Sequence, residues 1–237
     1  TGAGLRLGKS IGEYNWVGLG YRFEEVDVTG ISVQDLNPAF QNGAITTSRV
    51  SPSFIRDTRD SFLNPTQGQR HVVRFDVAGG VLGGADFTKF AYEGSVYFRI
   101  IDKLVFAAHT EFNYGNGYNG QELPSFERYF MGGASSLRGF TIQQVGPRTA
   151  SGQILGGDQS LLFNLELQYP ITDEFRLFTF YDRGNVYGSG PDISTTAEVI
   201  DLAKMRHSAG AGVRFLSPFG PIGVSYGFKL DKRTGET

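Results

Sequence analysis

The sequence predicts an all-β fold, an antiparallel transmembrane β-barrel of which the chain carries about ten strands. Apolar and polar residues alternate along these segments, which is typical of strands whose two faces meet different surroundings. Many of the segments are 10–14 residues long, and short connections between them tend to alternate with long ones. The chain has 237 residues, enough for one large β domain, so 1–237 is predicted to be a single barrel domain.

The alternation is clearest in four segments. In 160–169 the apolar residues are Leu161, Phe163, Leu165, Leu167 and Tyr169, and the polar residues opposing them are Asn164, Glu166 and Gln168. The segments 87–100, 104–114 and 220–230 show the same pattern. Noisier alternation predicts the remaining strands at 2–9, 14–28, 44–58, 69–81, 175–187 and 207–216.

Alternation does not say which face is buried, because a soluble sandwich puts its apolar face inside and a membrane barrel puts it against lipid. Strand length favours the barrel, since soluble strands average about 5–6 residues and tilted membrane strands need about 9–11. The polar face also carries full charges at mid-strand: Arg74, Asp76, Glu93, Glu111, Glu166 and Arg214. Aromatic residues near strand ends predict an interfacial girdle: Tyr14, Trp16, Tyr114, Tyr169 and Tyr187. A large soluble β-sandwich is the alternative.

The connections indicate a direction for each strand. Short links occur around Ser10–Glu13, Asn64–Gly68, Ile101–Lys103, Pro170–Glu174 and Ser217–Pro221. Longer links occur at 29–43, 115–157 and 188–205, and the short 82–86 link is the exception. Outer-membrane barrels have short periplasmic turns and long external loops. Segment 160–169 is therefore predicted to run inward, and 175–187 to run back out.

Composition and spacing give little support for catalysis or cofactor binding. The chain has no cysteine, which excludes disulfides, thiolate metal sites and a catalytic thiol. Its three histidines, His71, His109 and His207, lack metal-ligand spacing, and Gly133–Leu137 lacks the second glycine of a nucleophile elbow. The formal net charge of -2 does not suggest a nucleic-acid partner. We therefore expect no enzymatic activity, no metal and no cofactor.

The 115–157 connection is the most informative segment, because loops longer than about 12–15 residues are usually functional or disordered. Its residues Leu137-Arg138-Gly139-Phe140 resemble the [VL]-R-G-[FY] signature in the sixth external loop of the BamA superfamily, and 127–133 resembles the run upstream of that signature. Three later segments resemble the family's following strands: 164–170, 180–186 and 220–227. These motifs occur in the family's order from about residue 50 to the end.

The resemblance implies an incomplete barrel, about 10 of an expected 16 strands, corresponding roughly to the family's sixth to fifteenth. The first strands, the closing strand and the periplasmic POTRA domains would lie outside this sequence. No signal peptide is visible, and the chain begins within a predicted strand, so a fragment is expected.

In the family, the long external loop folds into the barrel lumen, where its arginine meets acidic residues of the inner wall. The resemblance therefore implies that Arg138 of the Leu137–Phe140 motif pairs with Glu166, Asp182 or both. Gly139 would allow a tight backbone, and Phe140 would pack on the wall. The upstream residues expected to support the loop are Glu127, Arg128, Gly132 and Gly133. The alternative is that Arg138 is a solvated loop charge and that water hydrates Glu166 and Asp182.

The resemblance also implies a function: the barrel core of an insertase that folds and inserts β-barrel proteins into the bacterial outer membrane. Its expected partners are unfolded outer-membrane β-barrel proteins as substrates, accessory outer-membrane lipoproteins and outer-membrane lipid. One alternative is a polypeptide-export pore of the same superfamily, acting in two-partner secretion and sharing the loop motif. A more distant alternative is a passive porin, which should carry a charged constriction loop instead.

Overall fold

The computed structural model describes residues 1–30, 42–148, 152, 154–172, 174–188, 200–217 and 220–231. Ten antiparallel strands form one sheet in which each strand pairs with its neighbour in sequence. The strands are β1 (Gly2–Ile11), β2 (Asn15–Val28), β3 (Gly43–Asp57), β4 (Gly68–Ala78), β5 (Phe87–Ile101), β6 (Leu104–Gly117), β7 (Gln159–Pro170), β8 (Phe175–Tyr187), β9 (Arg206–Ser217) and β10 (Gly220–Lys229). Short 3₁₀ helices occur at Gly80–Leu82, Ser125–Glu127 and Leu202–Lys204. No helix in the described ranges is long and apolar enough to cross a membrane.

The ten predicted strands are confirmed, and most of their ends agree within one or two residues. The prediction for 69–81 was wrong at its end, because β4 stops at Ala78 and a 3₁₀ turn follows. Gly79 and Gly80 have φ of 84° and 57°, a conformation that ends the extended strand. In the other direction, β6 continues past the predicted residue 114 to Gly117.

The two faces of the sheet differ as expected for a membrane barrel. We call the face that carries Glu166 the inner face and the opposite one the outer face. Outer-face apolar side chains stay exposed, with Val224 at 70% and Tyr226 at 75%. Strands of 10–15 residues are long enough to cross the hydrocarbon core of a bilayer. The outer face therefore suits contact with lipid.

Two of the predicted girdle aromatics lie elsewhere. Trp16 lies on the inner face, on the same side of β2 as Glu24, where it fills space left by glycines: a Cβ on Gly8 or Gly18 would lie 2.0 or 2.1 Å from the indole ring. Tyr187 is 0% exposed, and its hydroxyl donates to the Asp201 carbonyl at 2.7 Å. Tyr114 and Tyr169 are exposed on the outer face, as the girdle requires.

The long connection between β6 and β7 packs against the inner face in its described residues, 118–148, 152 and 154–158, and we call these the lumen loop. Its apolar residues form a core with two wall residues from β7 and β8. The members are Met131, Leu137, Phe140 and Val145 from the loop, and Leu162 and Val186 from the wall. Backbone bridges of Tyr129 with Gly157 and of Met131 with Val145 hold the loop's own shape. The described part of the loop therefore packs as part of the fold.

Candidate functional site

The central feature of the inner face is the contact between the tip of the lumen loop and strand β8. Arg138 donates from Nε to Asp182 Oδ2 at 2.8 Å and from Nη2 to Asp182 Oδ1 at 2.6 Å. The Arg138 backbone N–H also donates to Asp182 Oδ2 at 3.0 Å. A two-pronged guanidinium–carboxylate contact fixes orientation as well as distance. Asp182 is 0% exposed, so this contact takes place away from bulk water.

Strand β7 supplies a second carboxylate to the same guanidinium. Arg138 Nη1 donates to Glu166 Oε1 at 2.5 Å. Glu166 also accepts from Gln168 Nε2 at 2.7 Å and from Arg214 Nη2 at 3.3 Å. Burial acts against the charged form of Arg138, but its bonds to Asp182 and Glu166 raise its pKa. The structure thus brings together all three residues of the predicted ion-pair cluster.

Two aromatic rings of β8, Phe178 and Phe180, pack against the guanidinium groups of this cluster, and we call them the aromatic floor. The Arg138 guanidinium stands 3.8 Å from the centre of the Phe180 ring, and Arg214 stands 4.7 Å from that of Phe178. Both rings lie over glycines of β9, where a Cβ on Gly210 or Gly212 would approach them to 2.6 Å. Cation–π contacts in a desolvated site add to the ion pairs. A side chain at either glycine would collide with a ring, so the glycines leave room on the wall for both rings.

Gly139 and Phe140 bring the loop tip into contact with β10 and β9. Gly139 has a φ of 83°, and a Cβ there would lie 3.0 Å from the backbone of Gly227 in β10. Phe140 is buried in the loop core, with the Arg206 guanidinium 4.8 Å from its ring centre. The tip therefore contacts β7, β8, β9 and β10 within one short motif.

Replacing Gly139 with alanine should weaken docking of the loop tip. A left-handed φ costs an L-residue about 1–2 kcal/mol, and the new methyl group would also press on the β10 backbone. Gly120→Ala is a matched control, because Gly120 has a similar φ of 77° with nothing within 4 Å of its Cβ position. Limited proteolysis of the lumen loop should be faster in Gly139→Ala than in Gly120→Ala. Equal rates would show that the contact with β10 has no effect on docking.

A second ionic anchor fixes the beginning of the lumen loop to a different part of the inner face, on strands β3 and β5. Glu127 is buried and accepts from Arg49 Nη1 in β3 at 2.9 Å and from Lys89 Nζ in β5 at 2.8 Å. Lys89 also donates to the Glu127 carbonyl at 2.9 Å, and Arg49 donates to Glu24 in β2. One loop thus contacts the inner face on β3 and β5 and again on β7–β10. The sheet therefore wraps around it.

The other predicted support residues lie inside the loop. Arg128 is buried, with Glu122 and Asp158 carboxylates 3.5 and 3.6 Å away, and burial lowers its pKa. The Gly132 N–H donates to Ser136 Oγ at 3.0 Å, and the Gly133 N–H donates to the Phe140 carbonyl at 3.0 Å. These bonds close the turn that presents Arg138.

Several participants were not predicted from the sequence. They are Arg49, Lys89, Phe178, Phe180 and Gln168. All five lie at inner-face positions of their strands, so the alternation places them on the correct wall. Their partners depend on the path of the loop, for which the sequence offers no spacing rule. That the assembled site braces the barrel stays a prediction, because the geometry shows contacts and not their effect.

Comparison with known proteins agrees with this architecture. The Omp85 superfamily domain matches residues 1–237. The outer membrane protein assembly factor BamA of Nitratidesulfovibrio vulgaris is 32% identical over 98% of this chain and 29% of its own length. BamA of Neisseria meningitidis serogroup B is 26% identical over 98% of this chain and 34% of its own. The sorting and assembly machinery component 50 homolog of Bos taurus is 29% identical over 73% of this chain and 39% of its own.

Among solved structures, the crystal structure of BamA from Haemophilus ducreyi lacking POTRA domains 1–3 has the same fold. Its TM-score is 0.80 at 24% sequence identity, covering 99% of this chain and 51% of that one. The chain spans about a third of the length of the BamA relatives named above. The full-length match to the domain, together with these likenesses, shows that the chain belongs to the Omp85 superfamily and forms part of a BamA-type barrel.

Proposed function

We propose that this chain is the barrel core of an outer-membrane protein assembly factor, which folds and inserts β-barrel proteins into the bacterial outer membrane. The observation that carries the proposal is the lumen loop fixed to the inner wall through Arg138, Asp182 and Glu166, in a chain 32% identical to a BamA. Its substrates would be unfolded outer-membrane β-barrel proteins, and its partners accessory outer-membrane lipoproteins and membrane lipid.

The geometry fits such a role without a catalytic group. The apolar outer face sits in lipid, and the charged inner face holds a loop that keeps one wall in a fixed shape. An incoming strand in lipid has unpaired backbone groups, each of which costs several kcal/mol in hydrocarbon. An assembly factor lowers this cost by offering a strand edge to which the newcomer can pair. A braced wall would let such an edge open while the rest of the barrel stays intact.

The test uses the full-length protein that contains this barrel, reconstituted in liposomes. We expect it to accelerate folding of an unfolded outer-membrane barrel protein added from outside, and we expect Arg138→Ala to reduce the acceleration. Arg148→Ala is the matched control, because Arg148 is an exposed loop arginine whose bonds within the described part of the chain go to Gln144 and Gly152 of the same loop. Folding no faster than in empty liposomes would contradict the proposal. If ion conductance persisted in that case, the export pore would be favoured.

A further inference from the structure

A cavity of about 350 Å³ lies on the inner face below the loop tip. It is lined by 134–136 and Arg138 of the lumen loop and by the 59–65 turn between β3 and β4. The turn is held in shape by Asp60, which accepts from the Thr66 backbone N–H at 2.8 Å and from its hydroxyl at 2.5 Å. The cavity thus lies between segments from both ends of the strands.

Among the residues that the structure describes, four arginines line this cavity, and Glu166 is the only acidic residue that lines it with them. Three of the arginines have carboxylate partners within the described structure. Arg59 pairs with Asp57 at 2.7 Å, Arg138 with Asp182 at 2.6 Å, and Arg214 with Glu166 at 3.3 Å. The fourth is Arg176 of β8.

Arg176 is only 5% exposed, yet among the described residues it forms no ion pair. The hydrogen bond shown for its side chain is a donation to Gln168 Oε1. It stands directly across from Arg214 in the β8–β9 register, so two guanidinium groups face each other on the inner wall. The groups that act on it electrostatically from elsewhere are Glu166, Asp60 and Tyr97, and Glu166 is already bonded to Arg138 and Arg214.

This arrangement is unfavourable without a further partner. Like charges directly opposite on neighbouring strands are destabilising, and a buried cation needs a counter-charge or hydrogen-bond acceptors. A guanidinium has five N–H donors in a plane that matches two oxygens of a carboxylate or phosphate. An anion bound in the cavity in addition to Glu166 would offset the repulsion between Arg176 and Arg214. It would also accept hydrogen bonds from their guanidinium N–H groups.

We propose that Arg176 and Arg214, facing the cavity between the loop tip and the 59–65 turn, form a binding site for an oxyanion. The ligand is a carboxylate or phosphate group small enough for about 350 Å³. It comes either from a free anion such as inorganic phosphate or from the terminal carboxylate of a peptide that enters the lumen. The site rests on the arginine geometry alone and does not depend on the assembly function.

The test is isothermal titration calorimetry on the full-length protein in detergent micelles. The probes are inorganic phosphate, a short acetylated peptide with a free carboxylate, and the same peptide as its amide. We expect saturable binding of phosphate or of the peptide acid, and no binding of the amide. Phosphate binding alone would assign a free anion, and binding of the acid form of the peptide would assign a peptide terminus.

Variants separate a specific site from general attraction of anions. Arg176→Gln should weaken binding about tenfold, since one charge-assisted bond is lost, while Arg148→Gln should leave it unchanged. Ala134→Leu fills the cavity from the loop tip without changing charge, so it tests the site even if Arg176→Gln does not fold. Ala134→Leu should also weaken binding. Absence of binding by all probes, or binding unaffected by both Arg176→Gln and Ala134→Leu, would overturn the proposal.

Discussion

Arg138→Ala is expected to destabilise the barrel by about 3–5 kcal/mol, the usual cost of removing one partner from a buried ion pair. Asp182 would keep its charge at 0% exposure and lose the two side-chain N–H donors that Arg138 supplies, Nε and Nη2. The Arg138 backbone N–H would remain, but its partner carboxylate would no longer be neutralised. The measurement is the temperature at which the folded barrel loses its compact migration on electrophoresis, followed together with protease cleavage of the lumen loop.

A double-mutant cycle distinguishes a specific pair from a general loss of packing. Asp182→Asn keeps the shape of the side chain and removes its charge, so alone it should also destabilise strongly. The double variant Arg138→Ala with Asp182→Asn should be little worse than either single change, because the unpaired buried charge is gone. Strictly additive losses, or an unchanged midpoint and loop cleavage in Arg138→Ala, would show that the pair does not brace the barrel.

The strands of this protein could be predicted because a membrane barrel has two contrasting faces along its whole length. The residues of β7 show why: Leu165 and Leu167 must meet lipid while Glu166 must meet the lumen, so every second position is constrained. The same rule places Asp182 on the inner wall. The resemblance to the family then supplied the loop motif that meets it.

The second anchor could not be predicted in the same way. The pairing of Glu127 with Arg49 and Lys89 joins residues 78 and 38 positions apart through a loop whose path the periodicity does not constrain. The prediction that Trp16 belongs to the interfacial girdle was wrong for a related reason. The glycines that make room for it, Gly8 and Gly18, lie on an adjacent strand and two positions along its own, and only the register brings all three together.

The two ionic anchors and the apolar core hold the lumen loop across the inner face. Glu127 fixes the first part of the loop on β3 and β5, Arg138 fixes the tip on β7 and β8, and Leu137 lies in the apolar core. Charge-assisted bonds at both places specify one loop position more sharply than apolar packing would. Apolar burial supplies the contact area, and the ion pairs determine which loop position is adopted.

Gly210→Ala is expected to destabilise the wall strongly although it adds a single methyl group. A Cβ at Gly210 would lie 2.1 Å from the Tyr226 carbonyl oxygen and 2.6 Å from Phe180 Cζ, so either strand β10 or the aromatic ring must move. Overpacking of this kind costs about 1–3 kcal/mol. A displaced Phe180 ring would also disturb the guanidinium of Arg138 above it, at 3.8 Å. The effect should therefore reach the loop, and protease cleavage of the loop should increase along with the loss of heat stability.

Gly223→Ala provides the matched control, since Gly223 is an inner-face glycine of the neighbouring strand whose nearest atom to an added Cβ is the Val213 carbonyl oxygen at 3.7 Å. Alanine fits there in ordinary van der Waals contact. It also restricts the unfolded chain, which stabilises by about 0.4–1 kcal/mol where the backbone allows it. Both substitutions replace glycine with alanine, but Gly210→Ala should lower the free energy of unfolding and Gly223→Ala should raise it. If both lowered the midpoint equally, strand flexibility rather than the seating of Phe180 would explain why glycine occupies these positions, and the aromatic floor would lose its assigned role in holding Arg138.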